Sequence, residues 1–154
     1  AGYDVDAPQN FYLDLLREDI LKLQSGEDIM SPEYLVNGTG VSKAKSIPVK
    51  SRKIIIVEGM CSIYDKVQDI FDIKVYIDLD ENERKNRFLN RAKLRNQDEL
   101  NALKHWDYIV SAGQKYLIPN MKNCDIIING ECGLEYFTHM VEYINLITNN
   151  FYEE

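Results

Sequence analysis

Three short apolar runs along the chain predict β-strands. They read KIIIV at 53–57, IKVYIDL at 73–79 and CDIIIN at 124–129. Because the runs are short and rich in β-branched residues, they are typical of strands that are covered on both faces. The pattern therefore predicts a parallel sheet that lies between layers of helices.

Apolar residues at steps of three and four predict helices around these strands. In residues 11–24, several leucines and Ile20 share one face, and Gly26 ends the helix. Asp80 and Asp98 are suited to cap two of the later helices. The remaining helical stretches lie at 62–70, 81–96, 99–117 and 133–148. Strands that alternate with helices indicate an α/β fold with a parallel sheet.

Residues 27–50 interrupt this alternation of strands and helices. They contain Pro32, Gly38, Gly40 and Pro48, which favour turns. We expect the segment to form a loop or a short hairpin that projects from a single domain over residues 1–154.

The composition narrows the class of protein. Hydrophobic residues make up 45% of the chain and charged residues 28%, which argues against disorder. Acidic residues outnumber basic ones by 25 to 18, for a formal charge of −7, so we expect no nucleic-acid partner. The three cysteines show no CxxC spacing, which favours buried thiols in a reducing compartment over disulfides or a zinc site.

Two further features concern the location of the protein. No apolar run approaches the ~18 residues of a membrane-spanning helix. The first ten residues, AGYDVDAPQN, are polar and do not resemble a secretory signal. We therefore expect a cytoplasmic protein with no membrane partner.

The first apolar run ends on an acid, Glu58, and Gly59 follows it. In an open parallel sheet, ligands bind outside the carboxyl ends of the strands. A carboxylate there can hold magnesium, which prefers oxygen ligands and keeps several waters. The alternative is that Glu58 caps the next helix, and the residue alone does not decide between the two.

Four arginines spaced three, four and four residues apart lie on one stripe of the helix predicted at 81–96. They are Arg84, Arg87, Arg91 and Arg95. Each guanidinium can bind phosphate oxygens through two hydrogen bonds, so the stripe suits phosphate binding. The alternative is a solvated face on which Glu81 and Glu83 pair with basic residues one turn later.

The opening stretch YDVDAPQNF is rich in acids and precedes the first helix. Asp6 lies two residues before Pro8, and the proline disfavours a helical conformation in the residue before it, so we expect Asp6 to lie in a loop. A carboxylate held in a loop suits sugar hydroxyls, but Asp6 or Asn10 could equally cap the helix. Without further context, the capping interpretation is favoured.

Taken in order, these segments resemble the uridine kinase and phosphoribulokinase family of P-loop kinases. VDAPQNFYLDLL at 5–16 and GEDIMSPEY at 26–34 are similar to the family's Asp-x-Pro and Pro-x-Tyr segments. IIIVEGM at 54–60 is similar to the strand that carries its magnesium-binding glutamate. DLDENERKNRFLNR at 78–91 is similar to the arginine-rich lid, and KYLIPNMKNCDIIING at 115–130 to the closing segment.

The resemblance implies roles on the acceptor side of a kinase. Asp6 would contact the ribose hydroxyls of a nucleoside, and Tyr34 would line the base pocket from the segment at 27–50. Thr39 stands where the uridine kinase pattern has a histidine, and Val41 where it has an arginine. These departures put uridine itself in doubt as the substrate.

The resemblance also implies roles on the phosphate side, with ATP and Mg²⁺ as cofactors. Glu58 would help to hold Mg²⁺, and Asn129 and Gly130 would begin the loop near the adenine. The residues that would reach phosphates from a lid at 81–97 are Arg87, Arg91 and Arg95. Two further lid arginines of the family are replaced by Asn96 and Asp98.

The phosphate loop of the family is the largest departure. Its pattern G-x-x-x-x-G-K-[ST] is absent from the 154 residues, including the glycine-rich NGTGVSK at 37–43. The family's loop strand would lie between 53–58 and 73–78, and a following strand would carry the catalytic aspartate. We therefore expect the fold to be incomplete at its N-terminus and the chain alone to be inactive.

Three explanations of this departure remain open, and we favour the first. The first is that the chain is a fragment. The second is that another chain or a second copy supplies the missing strand in an oligomer. The third is that 53–58 pairs directly with 73–78 in a rewired pseudokinase. The leading hypothesis is the C-terminal part of an ATP-dependent kinase that phosphorylates a nucleoside or a related small molecule. The alternatives are a non-catalytic nucleoside- or anion-binding module and a structural or interaction domain.

Overall fold

A computed structural model of the chain describes residues 4–35 and 40–151. The chain divides into two compact units. Unit 1 comprises Ala1–Lys74 and Asp107–Asn123, and unit 2 comprises Val75–Trp106 and Cys124–Glu154. The single domain expected over residues 1–154 stays a prediction.

The described chain contains both helices and strands, and the fold class is α/β with a parallel sheet. In chain order the elements are α1 (Leu13–Gln24), β1 (Ile29–Leu35), β2 (Gly40–Val49), β3 (Val75–Asp78), α2 (Glu81–Leu94), α3 (Glu99–Ala112), β4 (Ile126–Asn129) and α4 (Leu134–Phe151). None of the described helices is both long enough and apolar enough to cross a membrane.

Helix α1 forms as its periodicity predicts. Leu13, Ile20 and Leu23 are buried on its apolar face. The helix ends at Gln24, and Gly26 follows with a φ of 93°, a left-handed conformation that glycine adopts without steric cost. The amide of Gly26 donates to the carbonyl of Leu23 at 3.2 Å, which satisfies a carbonyl of the last turn.

The described part of 27–50 contains two paired strands, which agrees with the hairpin, one of the two outcomes expected for this segment. Strands β1 and β2 pair antiparallel, with Ile29 opposite Val49, and the register shifts between Pro32 and Glu33. Proline has no amide hydrogen to donate to the ladder, so an irregularity beside Pro32 is physically expected.

The prediction of a strand at 53–57 is wrong. The segment is irregular, and Ile54 and Ile56 are 55% and 85% exposed. A strand needs a hydrogen-bonded neighbour, and the described strands form only the pairs β1–β2 and β3–β4. The direct pairing of 53–58 with 73–78, considered above for a rewired pseudokinase, is therefore not formed.

The helix predicted at 62–70 is also wrong. The structure has two short 3₁₀ helices instead, Met60–Ile63 and Gln68–Ile70. Between them Tyr64 is extended, with φ −73° and ψ 145°. The buried Tyr64 side chain donates a hydrogen bond to the distant Asp6 carbonyl, so a tertiary contact overrides the local pattern.

Unit 2 contains the parallel strand pair predicted by two of the apolar runs. Val75 lies opposite Ile126, and Asp78 lies opposite Asn129. Helix α2 buries Phe88, whose ring lies 5.7 Å from that of Trp106 in α3. Helix α3 continues into one π-helical turn, Gly113–Leu117, so the helix predicted at 99–117 forms with a different final turn.

The three cysteines, Cys61, Cys124 and Cys132, are free thiols. Each is partly exposed, so the expected burial is not complete. In the described parts of the chain, no group of three or more histidines, cysteines and acids is arranged to hold a metal ion.

Candidate functional site

The loop that carries Asp6 is held by hydrogen bonds to its backbone on both sides. The Asp6 amide donates to the hydroxyl of Tyr108 at 2.8 Å. The hydroxyl of Tyr64 donates to the Asp6 carbonyl at 2.5 Å. The next residue, Ala7, is fully buried. The position of the Asp6 backbone is therefore fixed by tertiary contacts within unit 1.

The expectation that Asp6 or Asn10 caps α1 is wrong. The cap position is Tyr12, and no side chain bonds the helix amides there. The side-chain amide of Asn10 instead donates to the backbone carbonyl of Asp4 at 2.5 Å, inside the loop itself. The Asp6 side chain therefore forms no capping hydrogen bond with α1, and the argument that favoured capping over ligand binding no longer holds.

Asp4 is a second acid of this loop that sequence reasoning missed. Its carboxylate accepts hydrogen bonds from the Tyr116 hydroxyl at 2.5 Å, the Lys115 ammonium at 2.9 Å and the Tyr108 hydroxyl at 3.1 Å. Its partners lie 104 to 112 residues away along the chain, so no local pattern reveals them. The acid-rich opening stretch was the one available signal.

These contacts shift the ionisation of the groups involved. The hydrogen bond from Tyr116, followed by that from Lys115, holds the pKa of Asp4 below its usual value. Burial is the main cause that raises the pKa of the Tyr64 and Tyr108 phenols. Asp4 is therefore a carboxylate acceptor and both phenols are neutral donors at physiological pH.

A cleft of about 640 Å³ lies beside this loop in unit 1. Its lining includes Phe11, Tyr64, Lys66, Lys115, Tyr116 and Asn120. The Tyr64 ring lies 5.8 Å from Phe11 and 6.3 Å from Tyr116, so aromatic faces and polar ends share one wall. The volume falls within the range of small-molecule sites, and aromatic walls with a few polar groups are typical of them.

The other two acceptor-side candidates are less well placed by the structure. Tyr34 lies in β1 opposite Val41 of β2, which locates its backbone but not its side chain. Thr39 lies outside the described residues. Their expected roles in a base pocket stay predictions.

Glu58 lies in the irregular segment rather than at the end of a strand. It is exposed, and Gly59 follows it with a φ of 119°. The cap position of the next short helix is Gly59, so Glu58 does not cap it either. One exposed carboxylate does not by itself make a magnesium site, which needs phosphate oxygens or further ligands. Among the described residues, Glu58 thus has no group of ligands around it that would build a resident Mg²⁺ site.

The arginine stripe of α2 divides into two halves. Arg87 forms an ion pair with Glu83 at 2.7 Å, as the alternative of a salt-bridged face requires. Arg84 lies 4.0 Å from Glu81 and stacks over the Trp106 ring at 5.4 Å. Arg91 and Arg95 are exposed and form no ion pair within the part of the chain that the structure describes. The second half of the stripe is thus open to an anion.

The loop after β4 brings Arg87 and Gly130 together. A guanidinium nitrogen of Arg87 donates to the Gly130 carbonyl at 3.3 Å, and the Gly130 amide donates to the Asp78 carbonyl at 2.6 Å. The side-chain oxygen of Asn129 accepts from the Glu131 amide at 2.9 Å and shapes the turn. Two residues expected near phosphate and nucleotide therefore meet in unit 2.

Comparison with known proteins gives one matching family and several relatives. The model of the phosphoribulokinase / uridine kinase family matches residues 1–132. The uridine kinase of Saccharomyces cerevisiae is 31% identical over 129 residues, which cover 82% of this chain and 26% of that protein. Uridine-cytidine kinase A of Dictyostelium discoideum is 29% identical over 153 residues, which cover 97% of this chain and 29% of that protein.

A bacterial relative is similar over a larger share of its own length. The uridine kinase of Chlamydia pneumoniae is 27% identical over 128 residues, which cover 81% of this chain and 58% of that protein. The chain thus spans between 26% and 58% of the length of these three relatives.

Proposed function

The chain belongs to the phosphoribulokinase and uridine kinase family, and on this basis we propose that it is part of an ATP-dependent nucleoside kinase. The family match over residues 1–132 carries the proposal. The relatives are named uridine kinase and uridine-cytidine kinase, which favours a pyrimidine nucleoside as acceptor. The reaction would transfer the γ-phosphoryl group of ATP to a hydroxyl of that nucleoside.

In unit 1, the proposed acceptor site is the loop around Asp6. Its carboxylate would accept hydrogen bonds from the ribose hydroxyls, as the resemblance implies, and it does not cap a helix. Tyr34 and Thr39 would line the base pocket from the hairpin. A carboxylate on a backbone that is held before binding loses little freedom when the ligand arrives, which favours affinity.

In unit 2, the proposed phosphate-binding groups are the arginines of α2 and the loop after β4. Arg91 and Arg95 are exposed and open to phosphate oxygens, and Arg87 lies against Gly130. Asn129 and Gly130 would lie near the adenine. Bound Mg²⁺ would neutralise phosphate charge in such a kinase, but Glu58 alone does not hold it, so we assign no step to the ion.

The proposal is tested by thermal unfolding of the chain with uridine, cytidine and Mg-ATP, each added separately. We expect uridine or cytidine at 100 times its dissociation constant to raise the Tm by roughly 5–10 °C. Asp6→Asn should reduce this shift in Tm, since it removes the charge of the carboxylate that would accept hydrogen bonds from the ribose hydroxyls.

The outcomes separate nucleoside binding from nucleotide binding. The absence of a shift with any nucleoside would contradict the acceptor pocket. We expect no shift with Mg-ATP, because the chain has no phosphate-loop sequence. A Mg-ATP shift would show that nucleotide binding does not depend on that sequence here.

A second candidate is a non-catalytic module that binds a nucleoside. The observation that favours it is the combination of a held Asp6 loop with the absence of the phosphate-loop pattern. A kinase must also hold its phosphorylated product. Binding of uridine monophosphate that is tighter than that of uridine favours the kinase. Equal binding of the two favours the module.

A further inference from the structure

The hydroxyl of Tyr108 joins the two acids of the Asp6 loop. It accepts the Asp6 amide hydrogen at 2.8 Å and donates its own hydrogen to the Asp4 carboxylate at 3.1 Å. A phenol has one hydrogen to donate and lone pairs to accept with, so both bonds form at once. Tyr64 completes the arrangement by donating to the Asp6 carbonyl at 2.5 Å.

The groups that hold Asp6 are themselves held. Asp4 receives hydrogen bonds from Tyr116 and Lys115 in addition to Tyr108. The amide of Ala7 donates to the Asp4 carbonyl at 3.2 Å, which closes a turn around Asp6. Tyr64 is buried, with only 4% of its surface exposed. The two phenols therefore act from a fixed framework rather than from mobile side chains.

We propose that Tyr64 and Tyr108 are positioning residues that clamp the Asp6 peptide and so set the carboxylate that receives the sugar hydroxyls. The inference rests on the proposed function, because it takes a nucleoside as the ligand. It deepens that function by assigning two residues that the resemblance does not name. Neither residue needs to contact the ligand, since both act through the backbone of Asp6.

The binding test compares Tyr108→Phe and Tyr64→Phe with the matched control Tyr143→Phe, whose ring is 64% exposed in unit 2. Each chain is titrated with uridine and with 2′,3′-dideoxyuridine, which lacks the 2′- and 3′-hydroxyls of the ribose. We expect the first two variants to bind uridine roughly 3- to 10-fold more weakly, the effect of one lost hydrogen bond. Dideoxyuridine binding should stay unchanged, and the control should match wild type with both ligands.

A double-mutant cycle asks whether the effect passes through Asp6. In an Asp6→Ala background, Tyr108→Phe should cause no further loss of uridine affinity, because the group that it positions is gone. An equal loss in both backgrounds would overturn the positioning role. A parallel loss of uridine and dideoxyuridine binding would also overturn it, since that indicates general damage to the pocket.

Amide hydrogen exchange tests the clamp without any ligand. The Asp6 amide should exchange slowly in wild type and faster in Tyr108→Phe, while the amides of α4 keep their wild-type rates in this variant. Unchanged exchange at Asp6 would overturn the clamp whatever the nucleoside data show. Faster exchange in the variant, with no uridine or cytidine binding by wild type, would overturn the proposed function and with it the role of the clamp in binding.

Discussion

Gly130 and Asp4 show how single residues hold this structure in place. Gly130 lies where the chain leaves β4 and comes very close to the end of β3. Asp4 collects three donors and ties the opening loop to residues 108–116. Gly130 fits because it has no Cβ, and Asp4 holds its donors because its carboxylate is charged. Each residue therefore gives a prediction for a single substitution.

Gly130→Ala should destabilise the protein by about 1–3 kcal/mol, the usual cost of an extra methyl group in a filled space. A Cβ at this position would lie 2.9 Å from Cγ2 of Ile77 and 3.0 Å from the Asp78 carbonyl. Urea unfolding measures the change. Gly113→Ala is the matched control, because a Cβ there meets no atom within 4 Å. Equal midpoints for the two variants would contradict the prediction.

Asp4 should make the stability of the protein depend on acid pH. Because its folded-state pKa lies below the usual 3.8, chiefly through the bond from Tyr116, its stabilising effect is complete above pH 3.8. The effect is lost as the pH falls below that value through the folded-state pKa. Urea midpoints measured from neutral pH downwards should therefore fall more steeply for wild type than for Asp4→Asn.

The control for this acid dependence is Asp72→Asn, which changes an exposed aspartate of the same unit. It should keep the steep wild-type profile. Parallel profiles for wild type and Asp4→Asn would show that the Asp4 contacts do not contribute to the acid sensitivity.

Helix α2 is the element in which local sequence and structure agree most closely. Asp80 caps it by accepting from the amides of Asn82 at 2.9 Å and Glu83 at 3.3 Å, as predicted. Asp98 likewise accepts from the Asn101 amide at 3.0 Å at the start of α3. Such caps satisfy amides that have no partner within the helix, and they require only residues two or three positions apart.

Asp80→Ala should cost about 0.5–2 kcal/mol of stability, the range found when a capping side chain is removed. Urea unfolding followed by the far-ultraviolet helix signal measures this change. Asn86→Ala, at an exposed position inside the same helix, is the control and should be neutral or slightly stabilising. A neutral result for Asp80→Ala would show that water satisfies the first turn equally well.

At the level of the whole molecule, membership of the family and the absence of one motif from these 154 residues have to be considered together. The family match extends over residues 1–132, whereas the sequence contains no G-x-x-x-x-G-K-[ST]. Phosphoryl transfer depends on positioning the phosphates and neutralising their charge. The described residues include a held acidic loop in unit 1 and exposed arginines in unit 2, and the proposed binding at each does not require that the chain catalyse transfer.

We expect the chain alone to form no uridine monophosphate above background from uridine and Mg-ATP. The physical reason is that no backbone cradle or lysine of a phosphate loop is present in its sequence to bind the β- and γ-phosphates. A coupled assay for ADP measures turnover, with the Saccharomyces cerevisiae uridine kinase as positive control. Measurable turnover would require other groups of this chain to replace the phosphate loop.

Local pattern was sufficient for the four described α-helices, although not for the helix predicted at 62–70, and for the order of the family's segments. The apolar face of α1, its end before Gly26 and the Asp80 cap follow from residues a few positions apart, because helical hydrogen bonds close within one turn. The apolar runs that became β3 and β4 were also identified. The similar run at 53–57 was not a strand, because pairing depends on a neighbour that its own residues do not specify.

The held loop at Asp6 depends instead on the folded chain. Tyr64 reaches Asp6 across 58 residues, and Tyr108 reaches it across 102. No periodicity or motif links residues so far apart, since their meeting depends on how the intervening segments fold. The sequence alone therefore identifies the family and the candidate acid, whereas the three-dimensional fold selects the phenols that hold it.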